Sequence, residues 1–169
     1  MRPHDGHAGR HVYLVALGSN MRAGGMRPSE VLAFAIGALT GRGFEILAVS
    51  PIIASAPLGP SKRRYVNAAA VIAGGFGPLE TLGILQSIEQ MCGRQRRGQR
   101  WRARPLDLDI VLWSGGILNA PQLTIPHPRY AERRFVLDPA ARVAPGWRDP
   151  VSGRTLRQQA LRLRRPRAL

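Results

Sequence analysis

Asp107 and Asp109 stand one residue apart at the head of an apolar run, Ile110 to Trp113, with Arg104 three residues before the first of them. In an extended strand alternate side chains share a face. The two carboxylates therefore point the same way, with Cα atoms about 7 Å apart, while Leu106, Leu108 and Ile110 point the other way. An isolated pair of this spacing is most often a solvated strand face. Here the residues that follow are apolar on both faces. Each carboxylate raises its neighbour's cost of ionisation, so a strand entering a core in this way needs a cation beside the pair, either a divalent metal ion or an arginine. No thiol or histidine lies near in sequence. An oxygen-only donor set suits a hard ion such as Mg²⁺, which commonly uses one or two carboxylates together with substrate phosphates.

Immediately upstream, GRQRRGQRWRAR gathers Arg94, Arg96, Arg97, Arg100, Arg102 and Arg104 around Gly93 and Gly98. Alone, such a run reads as a solvated basic face. Directly before an acid pair of metal-binding type it reads as a cradle for polyphosphate, because phosphoryl transfer depends chiefly on positioning and charge neutralisation. Neither G-x-x-x-x-G-K-[ST] nor G-x-G-x-x-G occurs. A nucleoside triphosphate would be held without a P-loop or a Rossmann turn.

The chain of 169 residues is long enough for one domain with a substantial core, and residues 1–169 are expected to form a single domain with flexible tails at 1–11 and 164–169. No apolar stretch is long enough to span a bilayer, and the N-terminal residues do not read as a secretory signal, so a cytoplasmic protein is expected. The single cysteine, Cys92, excludes an internal disulfide and a cysteine-based zinc site. The formal charge is +15, and 24 of the 25 basic residues are arginine, Lys62 being the exception. Guanidinium grips phosphate bidentately, which favours anionic ligands without choosing among them.

The elements that must position these groups follow from periodicity. Val12–Leu17 reads as a strand closed by Gly18, Ser19 and Asn20 as a turn. Ser29–Leu39 reads as a helix with Ser29 as N-cap after Pro28, and Pro78–Met91 as a second helix stopped at Gly93. Phe44–Ile53, Tyr65–Ala73 and Leu106–Trp113 read as strands. The order βαββαβ predicts an α+β fold: a ferredoxin-like core of four antiparallel strands with helices packed on one face of the sheet. Additional C-terminal elements follow, including a helix near Thr155–Leu163. His4, His7 and His11 fall in the expected tail and carry no assigned role.

These stretches closely resemble the hydroxymethyl-dihydropterin pyrophosphokinase family. The likeness runs in order through VALGSN (15–20), APLGP (56–60), YVNAA (65–69), SIEQMCGR (87–94), RWRARPLDLDIVLW (100–113), LTIPHPR (123–129) and ERRFVLDPAARVAP (132–145). It implies transfer of diphosphate from ATP to 6-hydroxymethyl-7,8-dihydropterin, with release of AMP, in folate biosynthesis. By the same resemblance Asp107 and Asp109 bind two Mg²⁺ ions, and Arg94 and Arg104 engage the transferring phosphates, assisted by Arg96, Arg97 and Arg100. Gln86, Glu89, Ile110, Thr124, His127 and Arg133 correspond to positions that hold ATP. Tyr65 and Phe135 sandwich the pterin, Asn67 bonds its polar edge, and Leu58 and Trp101 complete that pocket. A monomer is expected, with no membrane partner. The PLGPSKRRY loop is more basic and slightly shorter than the resemblance leads one to expect, and Arg102, Arg134 and Asp138 depart from the pattern.

The rival reading is a basic RNA-binding module, since the same element order builds the RRM. An RRM stacks bases on aromatics of its central strands. YVNAAAVIAG offers one aromatic where several are needed, so no nucleic-acid partner is expected.

Overall fold

The computed structural model describes residues 9–56, 64–93 and 105–164. Strand β1 (His11–Ser19) lies at the centre of the main sheet, antiparallel to both β4 (Tyr65–Gly74) and β5 (Asp107–Trp113). Outside β4 lie β2 (Glu45–Val49) and the short β3 (Ile53–Ser55), giving the order β2-β4-β1-β5 with β3 also paired to β4. Helix α1 (Pro28–Gly41) joins β1 to β2, and α2 (Pro78–Met91) joins β4 to β5. This is the expected ferredoxin-like arrangement.

Alternation along β1 divides the core in two. Tyr13, Val15 and Leu17 join Val31, Leu32, Ala35 and Leu39 of α1 and Leu85 and Ile88 of α2 in one apolar cluster. Leu14, with Ala69 and Val71 of β4, belongs to a second cluster, completed by Val136, Leu137 and Ala140 of α3 (Arg134–Val143) and Leu156 and Ala160 of α4 (Leu156–Arg164). The sheet is thus covered on both faces, which corrects the expectation of helices on one. The reason is visible in β4: Ala68–Ala73 are all buried, so neither face could be left wet. Between β5 and α3 the chain forms a hairpin of β6 (Leu118–Ala120) and β7 (Leu123–Ile125) and a 3-10 turn at Tyr130–Glu132.

Four local expectations change. The expected strand Phe44–Ile53 is broken, because the Ser50 hydroxyl takes over as ladder partner: its Oγ accepts from the Ala69 N–H at 2.9 Å, and Pro51, which has no N–H to donate, follows. His11 begins β1 rather than ending a tail, held by the Trp113 indole N–H, which donates to His11 Nδ1 at 3.1 Å. Gly18 and Ser19 belong to β1 and not to a turn. Ser29 lies inside α1, whose N-cap is Arg27. Pro28 takes the first helical position, and Glu30 Oε2 accepts from the Arg27 N–H at 2.6 Å.

The C-terminal helices are tied down by a buried polar node. Gln159 Nε2 donates to the Tyr130 hydroxyl at 2.8 Å, and Asp149 accepts from the Val151 N–H at 3.0 Å and the Ser152 hydroxyl at 2.7 Å. Burial raises the Tyr130 phenol above its ordinary value. Asp138, which interrupts the apolar pattern of α3, is used in ion pairs with Arg164 at 2.8 Å and Arg134 at 3.6 Å.

Ser50→Ala leaves the Ala69 amide buried without an acceptor and is expected to destabilise the fold by about 1–3 kcal/mol. Urea titration should show a lower midpoint at unchanged slope; an unchanged midpoint would refute the role given to Ser50.

Candidate active site

β1, β4 and β5 bring their site residues to one end of the sheet. The register pairs Gly18 with Asn67 on one side and with Asp107 on the other, and Ala16 with Ala69 and Asp109. Cross-strand partners share a face, so Asn67, Gly18 and Asp107 form a row with Asp109 one step behind. With strands about 4.7–4.9 Å apart, Asn67 and Asp107 stand roughly 10 Å from each other across the glycine. Gly18 makes the row a cleft. A Cβ there would already lie 3.4 Å from Asn67 Oδ1, and any longer side chain would fill the space between the amide and the carboxylate.

Asn67 is buried and its Nδ2 donates to Ser55 Oγ at 2.8 Å, which fixes the amide and leaves Oδ1 over Gly18. Tyr65, two residues earlier on β4, shares that face and is half-buried. Phe135 opens α3, which packs over β4 and β3, and the Arg133 guanidinium lies 5.8 Å from its ring centroid. Beneath β5, Glu89 is 1% exposed, and its Oε1 accepts from the Leu108 N–H, between the two aspartates, at 2.9 Å. Its described contact is therefore to the backbone that carries the pair. Gln86 is half-buried one turn earlier on α2. Gln86, Glu89, Asp107 and Asp109 each make further interactions.

A cavity of about 270 Å³ adjoins Asp109. Asp109, Ile110, Thr124 and His127 line it, so four of the residues expected from sequence meet there. Leu82 of α2 and Gln122 and Leu123 of the β6–β7 hairpin share the lining. Sequence reasoning missed these three: Leu82 reads as one more apolar position of a helix, and no local pattern marks the hairpin.

The chemistry of His127 is constrained by its own turn. Its backbone N–H donates to the Val111 carbonyl at 3.0 Å, docking it against β5, and Nδ1 accepts the Arg129 N–H at 3.2 Å. With Nδ1 used as acceptor, the neutral ring carries its proton on Nε2, which is then a donor. Burial, then the Arg133 charge, lowers the pKa of the ring; Asp107 works weakly the other way. His127 thus presents a neutral N–H, a group suited to a phosphate oxygen or a hydroxyl.

Asn20 also departs from its reading as a turn residue. It follows β1 directly at this end of the sheet and is 4% exposed, yet among the described residues neither atom of its amide has a hydrogen-bond partner. Burying such groups unpaired costs about 1–3 kcal/mol each. Nothing in the sequence distinguishes it from an ordinary turn asparagine. Leu58, Arg94, Arg96, Arg97, Arg100, Trp101 and Arg104 lie outside the described residues.

The fold places the chain in a class. It is similar to wild-type Plasmodium falciparum HPPK-DHPS, with a TM-score of 0.68 at 12% identity over 91% of this chain, although it spans only 45% of that longer chain. The shared architecture is the α+β, ferredoxin-like one. The family profile described as 7,8-dihydro-6-hydroxymethylpterin-pyrophosphokinase matches residues 14–145. Curated relatives named 2-amino-4-hydroxy-6-hydroxymethyldihydropteridine pyrophosphokinase include one from Pseudomonas aeruginosa, 42% identical over 80% of this chain and 82% of its own length. Another, from Haemophilus influenzae, is 39% identical over 77% and 79%. The protein belongs to this pyrophosphokinase family.

In the ligand-free protein the His127 ring is expected to titrate below the ordinary 6.5. Folded His127 takes up its proton at a lower pH than unfolded His127, so its contribution to stability is complete above the unfolded value. That contribution is lost as the pH falls towards the folded one. An NMR titration of the ring giving a midpoint at or above 6.5 would contradict this assignment.

Proposed function

We propose that the protein carries out the reaction for which its family is named, the transfer of diphosphate from ATP to the hydroxymethyl group of 6-hydroxymethyl-7,8-dihydropterin. The hydroxymethyl oxygen bonds to the β-phosphorus, the bond between the α- and β-phosphates breaks, and AMP leaves. The observation that carries this reading is the row Asn67–Gly18–Asp107. It sets an amide that can read a heterocycle and a carboxylate that can serve a phosphate about 10 Å apart across an open glycine.

The two aspartates fit Mg²⁺. They are half-buried on one face, offer oxygen alone, and among the described residues no group of three or more His, Cys, Asp or Glu forms a protein-only cage. Such a pair is completed by phosphate and water, the way Mg²⁺ is commonly held. Two ions bound there would neutralise the triphosphate and lower the pKa of the attacking hydroxyl.

The chain's own residues position both substrates. Tyr65 and Phe135 stack on the pterin, and Asn67, its amide fixed by Ser55, meets the ring's polar edge. Ile110 and Thr124 line the cavity that takes the nucleoside of ATP, while His127 Nε2–H and Arg133 face its phosphates. Glu89 holds the β5 backbone so that both carboxylates keep their direction. The family resemblance supports Arg94 and Arg104 as the cations on the transferring phosphates, Arg96 and Arg100 as further ATP contacts, and Leu58 and Trp101 as the remainder of the pterin pocket.

Incubation with ATP, Mg²⁺ and the hydroxymethyl-dihydropterin should yield AMP; formation of ADP would identify ordinary kinase chemistry instead. Asp107→Asn and Asp109→Asn should each lower kcat by about two orders of magnitude or more with the circular dichroism spectrum retained. Near-normal turnover in either would remove the metal assignment. Tyr65→Ala should raise KM for the pterin more than it lowers kcat, whereas loss of the folded state would mark Tyr65 as a core aromatic. Gly18→Val should retain the fold and abolish turnover by filling the cleft.

A further inference from the structure

The C-terminal layer holds a groove that the transfer reaction does not use. Between positions 134 and 164 all seven arginines are exposed, while the only two carboxylates, Asp138 and Asp149, are not. Asp149 is consumed by the polar node, and Asp138 is shared between Arg134 and Arg164. Where α3 and α4 pack together, their outer edges leave a hollow of about 460 Å³. It is flanked by Arg142, Arg157 and Arg164 and by Asp138, which pairs with Arg164, and Ala141, Ala160 and Leu161 form its floor. Arg157 and Arg164 are two helical turns apart on the same side of α4, about 10 Å along its axis. Among the described residues neither the Arg142 nor the Arg157 side chain has a hydrogen bond or ion pair, so both guanidiniums face the hollow unpaired there.

We propose that this groove binds a single-stranded polynucleotide through its phosphates. A line of guanidiniums along a shallow channel matches a phosphodiester backbone, and arginine, more than lysine, takes phosphate oxygens two at a time. An anionic membrane is the poorer fit. A helix lying on lipid needs a broad apolar face turned outward, but Leu137, Ala140, Leu156 and Ala160 all point into the core, and Leu161, 50% exposed, is the one large apolar side chain in the groove. Among the described residues no aromatic lines the channel, so binding should be independent of base sequence and steeply dependent on salt. The earlier expectation of no nucleic-acid partner rested on the missing aromatics of β4, a different surface whose chemistry this groove does not need.

The test is the anisotropy of a short labelled oligouridylate across a salt series, with the full-length protein, the variant Arg142→Gln/Arg157→Gln, and the charge-matched control Arg10→Gln/Arg42→Gln far from the groove. Each phosphate contact in a single strand contributes about 0.7 to the slope of log K against log salt. The groove variant should therefore lose about 1.4 of slope and bind about twentyfold more weakly at 0.1 M salt. The control should bind as the parent does, and diphosphate transfer should be unchanged in both. Equal weakening in groove variant and control would show that net charge alone is responsible and overturn the proposal. So would absence of binding at low salt, or capture at the groove of phosphatidylserine vesicles or inorganic triphosphate in place of the oligonucleotide.

Discussion

The pairing of β1 with β4 and β5 is the constraint on which the rest depends. A strand alternates its side chains, so one register decision on β1 sets what faces α1 and α2 and what faces α3 and α4. The same register puts Gly18 between Asn67 and Asp107. A slip of one residue would send Asp107 and Asp109 into the apolar cluster beneath α2, and Leu108 and Ile110 into the cleft. The buried residues of β1 make that error costly, and site geometry is thereby guarded by the hydrophobic core rather than by contacts within the site.

Control of the acids from below follows the same logic. Leu108 points into the core while its N–H bonds to buried Glu89, so the strand is pinned at the residue between the two carboxylates. His127 is fixed from two directions, through Val111 on β5 and through its own turn at Arg129. In His127 the backbone N–H and Nδ1 are both given to the fold, which leaves Nε2–H as the ring's donor. Preorganisation here comes from hydrogen bonds that never touch a substrate.

Much of this was legible in the sequence because it depends on short-range patterns. The alternation in LDLDI, the prolines opening both long helices and the glycine after α2 identify elements and the face of the acids without any knowledge of tertiary structure. Pairings between distant segments were not legible. Nothing local in Ser50 says that its hydroxyl will stand in for a backbone carbonyl of β2, nor in Leu82 that it will meet Thr124 across a cavity. Of the second helical layer only α4 was expected, as a helix near Thr155–Leu163; α3 and the packing of both on the sheet were missed for a related reason. α3 is interrupted by Asp138 and Pro139, so its apolar stripe shows only once a sheet face is there to receive it.

The central position of β1 also bears on how the chain is made. Among the described strands β1 is made before the two it pairs with, whose segments begin at Tyr65 and Asp107. Until the second of them has been synthesised, an apolar strand with an unpaired edge must wait, sheltered on one side only by α1 and the early strands. Completion of the sheet and assembly of the acid pair are then a single event. A nascent chain that stalls before residue 107 has neither a closed core nor its pair of carboxylates.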